Sequence, residues 1–271
     1  MTDFVTGVHD GMPAADYHAV EALSSSGIRK LLQSPLHYRL YRDRPSEPTA
    51  AMLFGTAVHC GVLEPDTFAD RVVCAPDVNK RTNAGRDLLA AFERDNAGRV
   101  ILSPDDYARA CTTVAAVRAH AAARKLLDGA EVEKSIFWID GGYKVPCKAR
   151  FDAWQGGIVV DLKTTTDASP DEFAKSIANF YYHAQAAMYC SGAEHALNRS
   201  PDAFVFVVVE SLPPHAVACY QLPNAAILAG MHLVNRAQAR YAEVLASGQW
   251  TGYPETIEVI QLPRYAMRFA V

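Results

Sequence analysis

The chain has 271 residues, 50% hydrophobic and 21% charged, with a formal net charge of -4 at pH 7. At roughly 150 residues per domain this is one large domain or two small ones, with enough apolar material for a sizeable core. These values exclude a disordered tail, a fibrous repeat and a small disulfide-stapled scaffold, while a nucleic-acid partner stays open because binding follows where charge sits rather than its sum.

No apolar run reaches the ~20 residues that a bilayer span needs, and Phe204 to Val209 is strand-sized. The start Met1-Thr2-Asp3-Phe4 has neither the basic flank nor the apolar run of a secretory signal. Cys60, Cys74, Cys111, Cys147, Cys190 and Cys219 form no C-x-x-C pair. This predicts reduced thiols in a cytoplasmic protein without a zinc or iron–sulfur site.

In chain order, the first half reads as helical. Ser24 to Gln33 is a short capped helix, and a second follows Ser34-Pro35 through Tyr41. Thr49 to Leu63 carries Leu53, Ala57 and Gly61 at helical spacing and stops before Pro65. Asp77 to Arg86 is polar and cationic and reads as a loop. Ser103-Pro104-Asp105-Asp106 is a strong helix start, and the helix is expected to run to about Leu127 and end at Gly129.

After Gly129 the character changes. Glu131 to Ile139, Tyr143 to Trp154 and Gly157 to Thr164 favour strands. Ser169-Pro170-Asp171-Glu172 is a capping box opening a helix to about Cys190. Phe204 to Glu210 and His215 to Leu222 are further strands around Pro213-Pro214, and Asn224 caps a helix to about Ala246. The expected fold is α/β: a mixed central sheet flanked by helices, with a helical N-terminal elaboration. It is expected as one continuous domain, residues 1–128 helical and 129–271 the core.

The segment from Arg150 to Lys163 carries the chemistry. Gly156-Gly157 between two β-prone runs is a two-residue hairpin signal, because the favoured turns need positive φ. Pairing Gln155 with Ile158 places Asp152 across from Asp161, with Lys163 on the same face. Phe151, Ala153, Val160 and Leu162 then share the other, buried face. Cross-strand carboxylates about 5 Å apart repel by about 3 kcal/mol at an effective dielectric near 20. A divalent cation between them removes that penalty and supplies a Lewis acid. Oxygen donors select a hard ion, Mg²⁺ with Mn²⁺ as substitute. Lys163 is expected to position water or phosphate, and to act as a base only if its site lowers its pKa. The alternative is an exposed hairpin whose lysine relieves two surface acids.

These residues resemble the PD-(D/E)XK nuclease core. Asp152 followed by Asp161-Leu162-Lys163 is similar to its central motif, with Phe151 where the nominal motif has proline. Gly55-Thr56-Ala57-Val58-His59 with Leu63-Glu64-Pro65, Glu133-Lys134-Ser135, Lys148-Ala149-Arg150 and Gln185-Ala186-Ala187-Met188-Tyr189 resemble further pieces of the RecB/RecE-type branch, in order, over roughly residues 24 to 222. The resemblance implies a restriction-endonuclease-like fold and a metal held by His59, Asp152, Asp161 and the carbonyl of Leu162. Gly55 is expected to let its helix approach the sheet closely. Gln185 and Tyr189, one turn apart, are expected to hydrogen-bond substrate phosphate or Lys163, or else to satisfy the sheet edge. Glu133 is either an outer support, a second-metal ligand or a solvated edge acid.

A polyanion surface is expected from Arg29, Lys30, Arg39, Arg42 and Arg44, with Tyr38 and Tyr41 to stack on bases, and from Lys80, Arg81 and Arg86; Arg150 is a further candidate. The RecE-type resemblance implies a 5′-to-3′ exonuclease on linear double-stranded DNA ends in phage-type recombination. It also implies a ring-shaped homo-oligomer and a single-strand annealing protein as partner. The rivals are an endonuclease or iron–sulfur nuclease of the same core, and a non-catalytic DNA-binding or assembly module.

Overall fold

The computed structural model describes residues 5–44 and 47–262. The start at Met1 to Phe4, on which the leader reading rests, lies outside the described residues. The chain begins with β1 (Gly7–His9), α1 (Ala14–Ala19), α2 (Ser25–Gln33), α3 (Pro35–Asp43) and α4 (Ala50–Leu63). Ser24, Ser34 and Thr49 cap the last three, each hydroxyl accepting a first-turn amide. A one-turn 3-10 helix and α5 (Phe68–Arg71) lead to β2 (Val72–Cys74), α6 (Asn83–Asp95), β3 (Val100–Leu102), α7 (Pro104–Ala119) and α8 (Ala121–Leu127).

Two expectations fail here for local reasons. The Asp77–Arg86 loop ends early, because Thr82 accepts the amide of Gly85 and starts α6. The single helix from Ser103 breaks at His120, which turns extended and caps α8 by accepting the Ala123 amide at 3.2 Å.

The second half supplies β4 (Glu131–Ile139), β5 (Pro146–Gln155), β6 (Ile158–Thr165), α9 (Pro170–Asn179), α10 (Tyr182–Leu197), β7 (Ala203–Glu210), β8 (Val217–Gln221) and α11 (Asn224–Ser247). Ser169 precedes α9 but its side chain makes no cap hydrogen bond, contrary to the capping-box expectation. The expected single helix is also interrupted: Tyr181 adopts a left-handed conformation at φ 60°, separating α9 from α10.

The main sheet is mixed, in the order β1-β4-β5-β6-β7-β8, parallel only between β6 and β7. That parallel pair requires a crossover, supplied by α9 and α10. β7 reads Phe-Val-Phe-Val-Val-Val at its centre and is buried on both faces, as a strand covered on both sides must be. On one face α2, α10 and α11 pack over Phe151, Val159, Phe204 and Phe206. On the other, α4, α7 and α8 cover Ala153, Val160, Leu162 and Val207.

The expected α/β sheet flanked by helices is therefore present, but one detail of its faces differs. Phe151 packs with the α10 layer and Ala153 with the α4 layer. Residues two apart on a regular strand share a face, so β5 rotates at Asp152. β4 rotates beside it, with Val132 in one layer and Ile136 in the other, around Glu133 at φ 51°.

Candidate active site

The hairpin register is the one the glycines demand: Gln155 pairs with Ile158, Trp154 with Val159 and Ala153 with Val160. Gly156 and Gly157 take φ 58° and 102°, which a side chain would resist. The ladder then stops one step short of Asp152 and Asp161, so they are not a directly paired cross-strand couple. At the next hydrogen-bonding position the Leu162 amide donates instead to Asp152 Oδ2 at 2.7 Å. The strands part at this point, and the Asp152 carboxylate takes the place of a ladder acceptor in the middle of the sheet.

From α4, His59 places Nδ1 3.6 Å from Asp152 Oδ2, and the Leu162 main chain interacts with the same ring. Asp161 is 1% exposed. Its Oδ1 accepts from Gln185 Nε2 at 2.6 Å. Its Oδ2 is buried and faces the Lys163 ammonium as an ion pair. Lys163 in turn lies 4.8 Å from the centre of the Tyr182 ring.

Electrostatics follow from burial. Desolvation raises both Asp152 and Asp161 to about 6, opposed by Lys163; Asp152 pushes Asp161 further up, and Glu133 does the same to Asp152. Burial, and then Lys163, lower the pKa of His59, keeping the imidazole neutral and able to donate a lone pair. For Lys163, burial works against the charge, but Asp161 and Asp152 outweigh it and hold the pKa above the ordinary value. Nothing in this arrangement makes Lys163 a base.

The remaining expected residues fall into distinct places. Gln185 bonds Asp161 rather than Lys163, and the Tyr189 hydroxyl bonds Gln185 while its ring is buried against Phe151 and Phe204. Glu133 faces Asp152 across the interrupted ladder and is ion-paired with Arg150. Arg150 also donates to Met12 O at 2.8 Å and Ser135 Oγ at 3.3 Å. It is therefore an internal brace, a correction to its assignment as a DNA contact. Gly55 is not forced by close approach either: a Cβ there would sit 3.5 Å from Thr164 Oγ1, an ordinary contact.

Of the cationic set, Arg29 is exposed, its guanidinium 5.7 Å from the Phe180 ring and its charge felt by Tyr182. Arg39 and Arg42 share Asp43 and lie over Trp250. Arg44, Lys80, Arg81 and Arg86 are exposed and Lys30 is half-buried. Tyr38 is buried against Tyr241 and Trp250 and cannot stack on a base; Tyr41 remains exposed. Sequence reasoning missed Tyr182 as a neighbour of Lys163, because only the break at Tyr181 turns that ring towards β6.

Among the described residues no three His, Cys, Asp or Glu side chains stand as a ready-made metal cage. The donors nevertheless suit a hard divalent ion: two buried carboxylates, a neutral imidazole and the backbone carbonyl of Leu162. The family model for a PDDEXK-like domain of unknown function (DUF3799) matches residues 24–263. The chain belongs to this family.

A crystal structure of a candidate exonuclease from Eubacterium rectale superimposes with a TM-score of 0.64 at 14% identity, covering 96% of this chain and 98% of that one. A phage-related exonuclease from Haemophilus somnus 129PT has a TM-score of 0.37 at 13% identity, covering 86% of this chain and 99% of that one. No curated protein matches the chain. The first of these resemblances shows the fold, and the PDDEXK-like family places this chain in the PD-(D/E)XK nuclease superfamily. Among the described residues no helix is long and apolar enough to cross a membrane.

Proposed function

We propose that this PDDEXK-like domain is a Mg²⁺-dependent exodeoxyribonuclease that hydrolyses linear double-stranded DNA, 5′-to-3′, as RecE-type enzymes do. The observation that carries the reading is that His59 Nδ1 stands 3.6 Å from Asp152 Oδ2 beside the buried Asp161, whose carboxylate feels the charge of both and is ion-paired with Lys163. Asp152, Asp161, His59 and the Leu162 carbonyl would hold the ion. When bound, Mg²⁺ (or Mn²⁺) supplies Lewis acidity and an acidified water.

The rest is the work of the chain. Lys163, kept cationic by the two acids, steadies the negative charge that builds on the phosphate. Gln185 fixes the rotamer of Asp161, and Tyr189 fixes Gln185. Arg150 holds Glu133 beside Asp152, so Glu133 tunes that acid from outside the ligand set. Exposed arginines on α2 and α3 supply the backbone contacts. The RecE-type resemblance further supports a ring-shaped homo-oligomer and a single-strand annealing protein as partner.

End-labelled linear duplex, incubated with Mg²⁺ or with EDTA, tests the reading. Wild-type protein is expected to release nucleotides only with Mg²⁺, and Asp161→Ala and Lys163→Ala to be inactive. A closed circle should resist. Cleavage that survives chelation or both substitutions overturns the metal mechanism, and cutting of the circle converts the exonuclease into an endonuclease.

A further inference from the structure

Beyond Lys163, β6 runs on through Thr164 and Thr165 into Thr166. With Ser211, Arg109 and the first residues of α4, Ala50 and Ala51, these line a cleft of about 350 Å³. Arg109 lies over the Phe54 ring, 4.5 Å from its centre, and spends one terminal nitrogen on Asp106 at 2.6 Å. Its Nε is buried with no hydrogen-bond partner. Thr49 accepts the Met52 amide at 3.3 Å, so the amides of Ala50 and Ala51 stay outside the helical ladder, at the positive end of α4. The cleft thus gathers hydroxyls, unused amides and the Arg109 guanidinium, partly offset by Asp106.

Thr164 ties the cleft to the acids: it follows Lys163 on β6 and lines the cleft, and a Cβ at Gly55, one turn before His59 on α4, would sit 3.5 Å from its Oγ1.

We propose that the Arg109–Thr164–Thr166–Ser211 cleft holds a phosphate of the strand being cut, neighbouring the scissile one. This deepens the nuclease reading and rests on it. The phosphate chemistry is the same for an internal diester and a terminal monoester, so the two sources are separated by experiment.

Fluorescence anisotropy of labelled linear duplexes, with the non-cutting Asp161→Asn protein and Mg²⁺, measures binding apart from catalysis. Single neutral methylphosphonates are placed at successive positions near the end, on strands ending in phosphate or hydroxyl. One position is expected to weaken binding about tenfold, and that penalty to vanish in an added Arg109→Gln or in Ser211→Ala/Thr166→Val, should the arginine variant fold poorly. Loss of the effect with hydroxyl ends assigns the terminal phosphate; persistence assigns an internal one. Equal penalties in parent and variants overturn the cleft. Absence of Mg²⁺-dependent cutting by wild type, with the binding pattern intact, would fault the nuclease reading and not the cleft.

Discussion

Asp152 concentrates the conflict between stability and chemistry in this molecule. Burial lifts its pKa from 3.8 to about 6, so the folded protein keeps a proton that the unfolded chain has already released. Its contribution to stability is therefore complete below about pH 4 and lost as pH rises through about 6. At pH 7 without metal, Asp152→Asn keeps an acceptor for the Leu162 amide and removes the buried charge. Melting in EDTA should show it more stable by about 1–3 kcal/mol, while metal-dependent cutting falls by about 100-fold or more. A destabilised Asn variant would show that the carboxylate is already compensated by Lys163 and His59. Gln185 acts one step further out. Gln185→Leu strips Asp161 of its hydrogen bond and is expected to raise the Mg²⁺ requirement by about tenfold, read by titrating Mg²⁺ against rate. Tyr189→Phe, which removes only the hydroxyl that bonds Gln185 and keeps the buried ring, should do less.

At the scale of elements, two interruptions make the site. The β5–β6 hairpin is regular near its turn and then parts at Asp152, so one carboxylate leaves the ladder while the other stays on the α10 face. The α9–α10 break at Tyr181 turns Tyr182 onto Lys163 and Gln185 onto Asp161. The turn itself has unequal demands. Gly156 sits in the left-handed region that asparagine tolerates, whereas Gly157 at φ 102° lies outside it, and a Cβ would also meet Arg199 and Asp202. Chemical denaturation should find Gly156→Asn within about 0.5 kcal/mol of wild type and Gly157→Ala lower by about 1–2 kcal/mol. Equal effects would mean that the hairpin, and with it the register of the acids, is less constrained than its dihedral angles indicate.

For the whole molecule, metal binding and folding are linked through the same acids. Mg²⁺ at about a hundred times its dissociation constant adds about 2.7 kcal/mol of stability to a protein it binds only when folded. Calorimetry should show this gain at pH 7.5 and its loss near pH 5, because Asp152 and Asp161, raised to about 6, must shed their protons to bind. A gain unchanged at pH 5 would place the ion elsewhere. DNA affinity should fall steeply with salt despite the formal charge of -4, since local arginines rather than net charge hold a backbone.

Much of this was legible in the linear chain. The Gly156-Gly157 turn dictated the hairpin register, Ser24, Ser34, Thr49 and Ser103 dictated helix starts, and the order of His59, Asp152, Asp161, Lys163 and Gln185 carried the family resemblance. These signals are local: a dihedral requirement, a cap or a spacing acts within a few residues. Folding in three dimensions decided the rest. It rotated Phe151 away from Ala153, turned Arg150 inward to Glu133, buried Tyr38, split two long helices and opened a hydroxyl-lined cleft beside Lys163. Those outcomes depend on which distant surface a side chain meets, and desolvation by that surface, rather than any neighbour in sequence, sets the pKa values of the two acids.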